Sequence, residues 1–319
     1  MNKRYEKTKK RIAISCVGAV AACIFFALYG AIGFWSIIGP LRLVRLGALL
    51  TVAVALATST VVFQAITQNR ILSPGVMGFD SMYALTLTAG TLALGAATLN
   101  RIPAPALFVG NAFIMMVAAT AMFMALILKQ SRSLHLLVLV GIVMGTLFRS
   151  LSAMIGFIMD PNELLSVQVR TTASFALVNQ ESLALAAPIT ALTCIYIWRK
   201  SPTWDVLALG RDIAVELGVP YQAEMRKALA ASALLVACAT ALVGPLMFFG
   251  LLVVNIAVFL VRSDKIKHLI IASSALGIVI LVGGQALLEH VLNYGTVLPV
   301  LIELVGGLVL LTLIYKESQ

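Results

Sequence analysis

The stretch Ile12-Ala-Ile-Ser-Cys-Val-Gly-Ala-Val-Ala-Ala-Cys-Ile-Phe-Phe-Ala-Leu-Tyr-Gly-Ala-Ile-Gly-Phe34 carries no charge from end to end. About 20 apolar residues in a helix cross the hydrocarbon of a bilayer, so this run is long enough to span. Lys3, Arg4, Lys7, Lys9, Lys10 and Arg11 precede it, as in a secretory signal. Val20-Ala-Ala-Cys23 even resembles a lipoprotein cleavage box, but the apolar run continues through Ile24-Phe-Phe-Ala-Leu28, where a lipoprotein would turn polar. It therefore reads as a first transmembrane helix behind a basic tail at residues 1–11. Comparable runs recur at roughly 42–66, 77–99, 104–128, 135–158, 182–199, 225–244, 247–261, 268–289 and 297–315. The eighth is too short for a comfortable crossing and is expected to be tilted, half-inserted or broken. The expected fold is an all-α polytopic membrane protein, with about ten transmembrane helices in one domain over residues 12–319.

Composition agrees. Of 319 residues, 61% are hydrophobic and 11% charged, against about half and about a quarter in soluble domains. A net charge of +10 would raise nucleic acid as a partner in a soluble protein, but here the basic residues sit in short loops. With the spans alternating, all of the 23 Lys and Arg except Arg42, Arg45, Arg101, Arg149 and Arg170 fall on the side of the N-terminus. That bias places both termini in the cytoplasm and leaves lipid, not nucleic acid, as the partner. Cys16, Cys23, Cys194 and Cys238 each lie inside an apolar run with no CxxC pair, and read as packing residues.

Two connections are long. The external one, 160–181, carries Asp160, Pro161, Glu163, Arg170 and Glu181. The internal one, 200–224, contains Trp204-Asp-Val-Leu-Ala-Leu-Gly-Arg-Asp-Ile-Ala-Val-Glu-Leu-Gly-Val219. Asp205, Arg211, Asp212 and Glu216 are too many charges for a span, yet Leu209, Ile213 and Leu217 recur every four residues on one face. Gly210 divides the stretch, and Gly218 and Pro220 stop it. This pattern predicts a pair of short amphipathic helices on the cytoplasmic surface. They either lie on lipid or dock against another protein, and the acidic residues favour docking.

No catalytic constellation emerges. GxxxxGK[ST], HExxH, GxSxG and metal-ligand spacings are absent, and His135, His268 and His290 are scattered. Polar groups within the spans are Gln64, Asn111, Arg149, Asn255, Gln285 and Glu303. Arg149 is the most costly, at about 2.5–3.5 kcal/mol for a helix centre. It either pairs with a group such as Glu303 or lines a route for an anionic solute. The glycines of Gly141-Ile-Val-Met-Gly145 and Gly306-Gly307 permit close helix approach.

Four blocks resemble the iron-chelate and vitamin B12 class of ABC importer permeases, in the family's order, from about Arg42 to the C-terminus. Arg42-Leu-Val-Arg45 is similar to the family's Arg-Leu-Pro-Arg. Gln68-Asn-Arg-Ile-Leu-Ser-Pro-Gly-Val-Met-Gly78 is similar to Arg-Asn-Pro-Leu-Ala-x-Pro-Gly-x-Leu-Gly. Leu207–Val219 resembles the cytoplasmic loop, and Gly244-Pro-Leu-Met-Phe-Phe-Gly-Leu251 resembles Gly-Pro-x-x-Phe-x-Gly-Leu. The resemblance implies a ten-helix subunit in the bacterial cytoplasmic (inner) membrane that dimerises with a second copy or a homologous permease. It implies ABC ATPase subunits inside, and a periplasmic or lipid-anchored substrate-binding protein outside. ATP and Mg would be used by the ATPase, with no cofactor on this chain. Leu207, Leu209, Gly210, Ala214, Leu217 and Gly218 would form the coupling helices. Arg42 and Arg45, with His290 at the position of a family Arg, would dock the binding protein. Asn69, Ile71, Ser133, Leu134 and His135 would form the cytoplasmic gate, with Gln64 and Arg149 on the translocation path.

The chain departs from the pattern at Arg70, where the family has Pro, and at Val254-Asn255 and Val258, where it has Pro-His and Arg. These departures point away from the vitamin B12 branch and toward ferric siderophores. The rival expectation is a stand-alone secondary transporter of a small anionic solute, with Glu303 as its one candidate coupling carboxylate.

Overall fold

In lipid a backbone must satisfy its own hydrogen bonds, so long apolar runs become helices. The computed structural model, which describes residues 2–29, 35–129, 134–292 and 296–317, contains no strand among them. In chain order the helices are α1 (Asn2–Leu28), α2 (Trp35–Thr67), α3 (Asp80–Leu94), α4 (Ala96–Arg101), α5 (Ala104–Lys129), α6 (Leu134–Ile158), α7 (Pro161–Thr171), α8 (Gln180–Leu207), α9 (Arg211–Glu216), α10 (Tyr221–Val243), α11 (Phe249–Val261), α12 (Ile266–His290) and α13 (Leu298–Glu317). A π-helical turn at Gly75–Phe79 precedes α3. Each of the ten apolar runs falls on a helix, but not all ten are long crossings. Seven helices among the described residues are long and apolar enough to span. The third run shortens to α3 because Gly95, at φ +77°, separates it from α4. The eighth is α11, with 13 residues.

α2 is the central post. Its apolar window is 72% buried against 11% for α6, and α8, α10, α11 and α12 pack around it. Small residues permit the closest approach. Ser59 on α2 and Ser232 on α10 each donate to the other's carbonyl, at 3.0 and 3.1 Å. A Cβ on Gly250 would fall 2.1 Å from Thr60 Oγ1, so only glycine lets α11 lie against α2 there. The outer faces of α1, α5, α6 and α13 expose Ile14, Val17, Phe113, Val143, Leu304 and Leu308, which suits contact with lipid.

The N-terminal tail is not a separate segment. From Asn2 it is already α1, and Thr8 Oγ1 and Arg11 Nη1 donate to the carbonyls of Val261 and Leu260, at 3.2 and 2.7 Å. They thereby satisfy carbonyls left open at the end of α11. The long connection at 160–181 also contains a helix. Asp160 Oδ1 accepts from Asn162 N at 2.8 Å with Pro161 in the first turn, a helix start that outweighs the polar content of α7.

Two breaks interrupt the bundle. Between α2 and α3 the chain turns at Gln68 (φ +52°) and Gly78 (φ +99°). Between α10 and α11 it turns at Gly244 (φ +97°), packed against Ala173, and Phe248 sits against Gly306. The glycine pattern at 141–145 does what its spacing predicts: Gly141 receives Met77 and Gly145 receives Gly78. Of the other pair, Gly306 is a contact point, whereas nothing lies within 4 Å of a Cβ at Gly307.

Candidate functional site

One end of the bundle is built around residues 200–224. α8 runs unbroken to Leu207, so the first of the two expected short helices is instead the end of α8. Trp204 is fully buried, and its Nε1 donates to Glu224 at 3.1 Å. Lys227 and Lys200 also reach this buried carboxylate, at 2.7 and 3.4 Å, pinning α8 to the start of α10. Asp205 accepts from Ile266 N at 2.8 Å and so ties the same corner to the start of α12. The chain then reverses at Gly210 (φ +106°), forms α9 and closes at Gly218 (φ +78°), whose N–H donates to Val215 O at 2.9 Å. A glycine in the left-handed region is the usual way to end a helix.

On this corner Leu209, Ile213, Val215 and Leu217 are 56, 47, 55 and 61% exposed. Leu207 and Ala214 are fully buried. Of the six positions expected to form the coupling helices, Leu207 and Ala214 therefore hold the corner from beneath. Val215 is exposed as well, on the side of α9 away from Ile213. Which positions are covered is set by tertiary packing, which a period of four cannot register.

The α2–α3 connection lies beside this corner. Gln68 Nε2 donates to Ala208 O at 3.2 Å. Asn69 Oδ1 accepts from Ile71 N at 2.9 Å, a local turn that fixes the pair expected at the gate. Gln64 Nε2 and Asn255 Nδ2 both donate to Arg70 O, at 2.8 and 3.3 Å, and the Arg70 side chain pairs with Asp264 at 2.8 Å. Gln64 is therefore a buried anchor of this connection, and it is not among the residues lining the cavity described next. Of the other gate residues, Ser133 lies outside the described residues, and Leu134 and His135 open α6 with side chains outside them.

A cavity of about 680 Å³ opens between α3, α6, α7 and the α10–α11 connection. Arg149, Glu303 and Asp80 all line it, with Ser81, Thr88 and Ser152 among its polar walls. Arg149 and Glu303 thus share a space rather than forming an ion pair within 4 Å among the described residues. Asp80 was not anticipated, although a carboxylate close to the start of an apolar run is a visible signal.

At the opposite end, Glu289 on α12 meets both arginines of α2. Arg45 Nη1 lies 2.6 Å from Glu289 Oε1, and Arg42 Nη2 lies 3.8 Å from Oε2. The Glu289 side chain is 6% exposed, Arg42 11% and Arg45 22%. Arg42 also donates to Phe26 O at 2.9 Å and to Tyr29 O, and Gln285 donates to Glu289 at 3.1 Å. His290 stands beside them, its ring edge on Tyr29 with centroids 4.7 Å apart. The two arginines come together around a buried carboxylate the sequence reading did not single out, and His290 reaches the same end through Tyr29, whose carbonyl accepts from Arg42.

Among the described residues, no group of three or more His, Cys, Asp or Glu is placed to hold a metal ion. A profile of the FecCD transport family matches residues 33–316. The petrobactin import system permease protein YclO of Bacillus subtilis is 38% identical over 313 residues, covering 98% of this chain and 99% of its own. The petrobactin import system permease protein FatC of Bacillus anthracis is 30% identical, covering 86% and 78%. A metal-chelate-type ABC transporter solved in an inward-facing conformation superposes with a TM-score of 0.78 at 23% identity, covering 97% and 99%, and so shares the fold. With the profile covering most of the sequence and one relative aligned nearly end to end, the chain belongs to the FecCD transport family, as a multi-pass membrane permease and not an enzyme.

Proposed function

We propose that this chain is the membrane-spanning permease of an ATP-driven ABC importer, carrying a ferric siderophore across the bacterial cytoplasmic membrane by alternating access. The observation that carries it is the corner at 207–219: four large apolar side chains stand exposed around a left-handed glycine on a charged surface. Exposed apolar side chains rimmed by charge suit a protein partner, and an ABC ATPase, which binds ATP and Mg where this chain binds neither, is the partner an importer requires. The petrobactin permeases among its relatives support an iron-chelate cargo of that kind. The charge bias supports the Gly210 end, with both termini, as cytoplasmic. The Arg42, Arg45 and His290 end then faces the substrate-binding protein.

The cavity supports a second permease, either a copy or a homologue. Arg149 and Glu303 are exposed on α6 and α13 at membrane depth, where lipid contact is costly. A partner subunit across this cleft would enclose the charges in a shared path, with Asn69 and Ile71 at its inner gate. Exchange Arg149→Met is expected to lower import of an anionic chelate several-fold more than import of a neutral one; equal losses would place Arg149 off the path.

The deciding experiment joins this chain in lipid with its ATPase and second permease, then adds binding protein loaded with ferric siderophore. ATP hydrolysis is expected to rise, and Gly210→Glu to remove about nine-tenths of that rise with the complex still assembled, because a side chain there meets both a left-handed backbone and Gln68 Nε2, 3.1 Å from the Cβ position. The rival, a transporter driven by an ion gradient, draws on Asp80 and Glu303 as midplane carboxylates. Gradient-driven uptake by this chain alone, with no effect on ATPase turnover, would put it in place of the importer.

A further inference from the structure

Two loops at the Gly210 end meet through one side chain. Gln68 ends α2 in the left-handed region, at φ +52°, an uncommon place for a residue other than glycine. Such a conformation persists where the surroundings over-determine it, and it recurs at switch regions. Here the conformation aims the amide across the surface: Nε2 donates to the carbonyl of Ala208, the residue that ends α8, at 3.2 Å. The same nitrogen lies 3.1 Å from the place a Cβ would take on Gly210. Gln68 thus rests on the hinge of the corner that exposes Leu209, Ile213, Val215 and Leu217.

The other side of Gln68 leads directly into Asn69 and Ile71. That connection is tied to α2 by Gln64 and to α11 by Asn255, both through the carbonyl of Arg70, and to Asp264 through the Arg70 side chain. Among the described residues, its tie to the α8–α9 corner runs through the Gln68 amide. The bond is solvent-exposed, so it adds little to the stability of the bundle and is free to break and re-form within a transport cycle.

We infer that Gln68 is the link through which displacement of the α8–α9 corner reaches the gate at Asn69 and Ile71. It is a positioning residue that touches no cargo. This rests on the proposed function, which assigns the corner to the ATPase and the α2–α3 connection to the gate.

The test uses the complete importer in proteoliposomes, with ATPase, second permease, binding protein and ferric siderophore. Gln68→Glu keeps the shape of the side chain but replaces the donor with an acceptor facing Ala208 O. It is expected to assemble and hydrolyse ATP near the unsubstituted rate, while chelate imported per ATP falls about tenfold. Gln68→Lys keeps a donor on a side chain of similar reach, and is expected to recover import per ATP to within about threefold. A purely structural role would not change that ratio.

Unchanged import per ATP in Gln68→Glu overturns the link while leaving the importer intact. Failure of Gln68→Glu to bind the ATPase makes Gln68 a docking contact and also overturns it. An unsubstituted complex with no ATP-driven import overturns the importer, and the link falls with it.

Discussion

Gly78→Ala is expected to leave little folded protein, because two separate penalties fall on one methyl group. The backbone at Gly78 has φ +99°, a conformation that costs a side-chain-bearing residue roughly 1–3 kcal/mol. The added Cβ would also lie 2.7 Å from Gly145 Cα and 3.0 Å from Gly145 N. Those are backbone atoms of α6 and no rotamer change moves them, so the Gly75–Phe79 turn and α6 must separate. Overpacking of that kind costs about 1–3 kcal/mol more. The sum is a large part of the roughly 5–15 kcal/mol that keeps a domain folded. Gly90→Ala is the control, on α3 with nothing within 4 Å of its Cβ. There alanine is expected to be neutral or to stabilise by about 0.5–1 kcal/mol. Yield and thermal unfolding in detergent or nanodiscs check both; a Gly78→Ala protein melting with the unsubstituted chain would show that the Gly75–Phe79 turn and α6 are not in contact as described.

The contrast between these glycines marks what the sequence can disclose. Gly78 and Gly90 sit in the same apolar run, and hydropathy treats them alike. The motif around Gly78 flags it, but the need for a left-handed backbone against Gly145 arises only once α6 is in place. The same limit applies to α3 and α11, which hydropathy finds as runs while the turns at Gly95 and Gly244 set where the helices break. At the corner, the period of four finds Leu209, Ile213 and Leu217, whose exposure depends on a local face. It does not separate Ala214, whose burial depends on tertiary packing. Arg42 and Arg45 are conspicuous as basic residues that go against the charge bias of the loops, whereas Glu289, far away along the chain, attracts no notice. Asp80 is legible as a carboxylate near the start of an apolar run, whereas its place on the cavity wall with Arg149 and Glu303 depends on packing.

Glu289→Ala is expected to cost about 3–5 kcal/mol, because it leaves two guanidinium groups without their shared anion in a site that is mostly closed to water. Arg42 keeps the carbonyls of Phe26 and Tyr29 as acceptors and the Phe26 ring at 5.6 Å. Arg45, at 2.6 Å from Glu289, loses its closest carboxylate. Arg45→Ala is expected to cost less, about 1–3 kcal/mol, since Glu289 retains Gln285 and the more distant Arg42. The double variant should be less destabilised than the sum of the two, by a coupling of about 0.5–3 kcal/mol. Thermal unfolding of the four proteins measures this, and strict additivity would mean that the pair does not form.

The same variants separate anchoring from docking. If the arginines only fix the end of α2 to α12, Arg45→Ala lowers the melting temperature and leaves affinity for the binding protein unchanged. If Arg45, which is 22% exposed, also meets an acidic partner, affinity falls in Arg45→Ala and loses part of its salt dependence. Glu289→Gln then becomes informative. It frees positive charge at the docking end while keeping the shape of the side chain, and so is expected to strengthen association at low salt even as it lowers stability. Opposite signs for stability and affinity in one variant would identify Glu289 as the carboxylate that holds the arginines until a partner's carboxylates replace it; losses in both would make it a structural anchor alone.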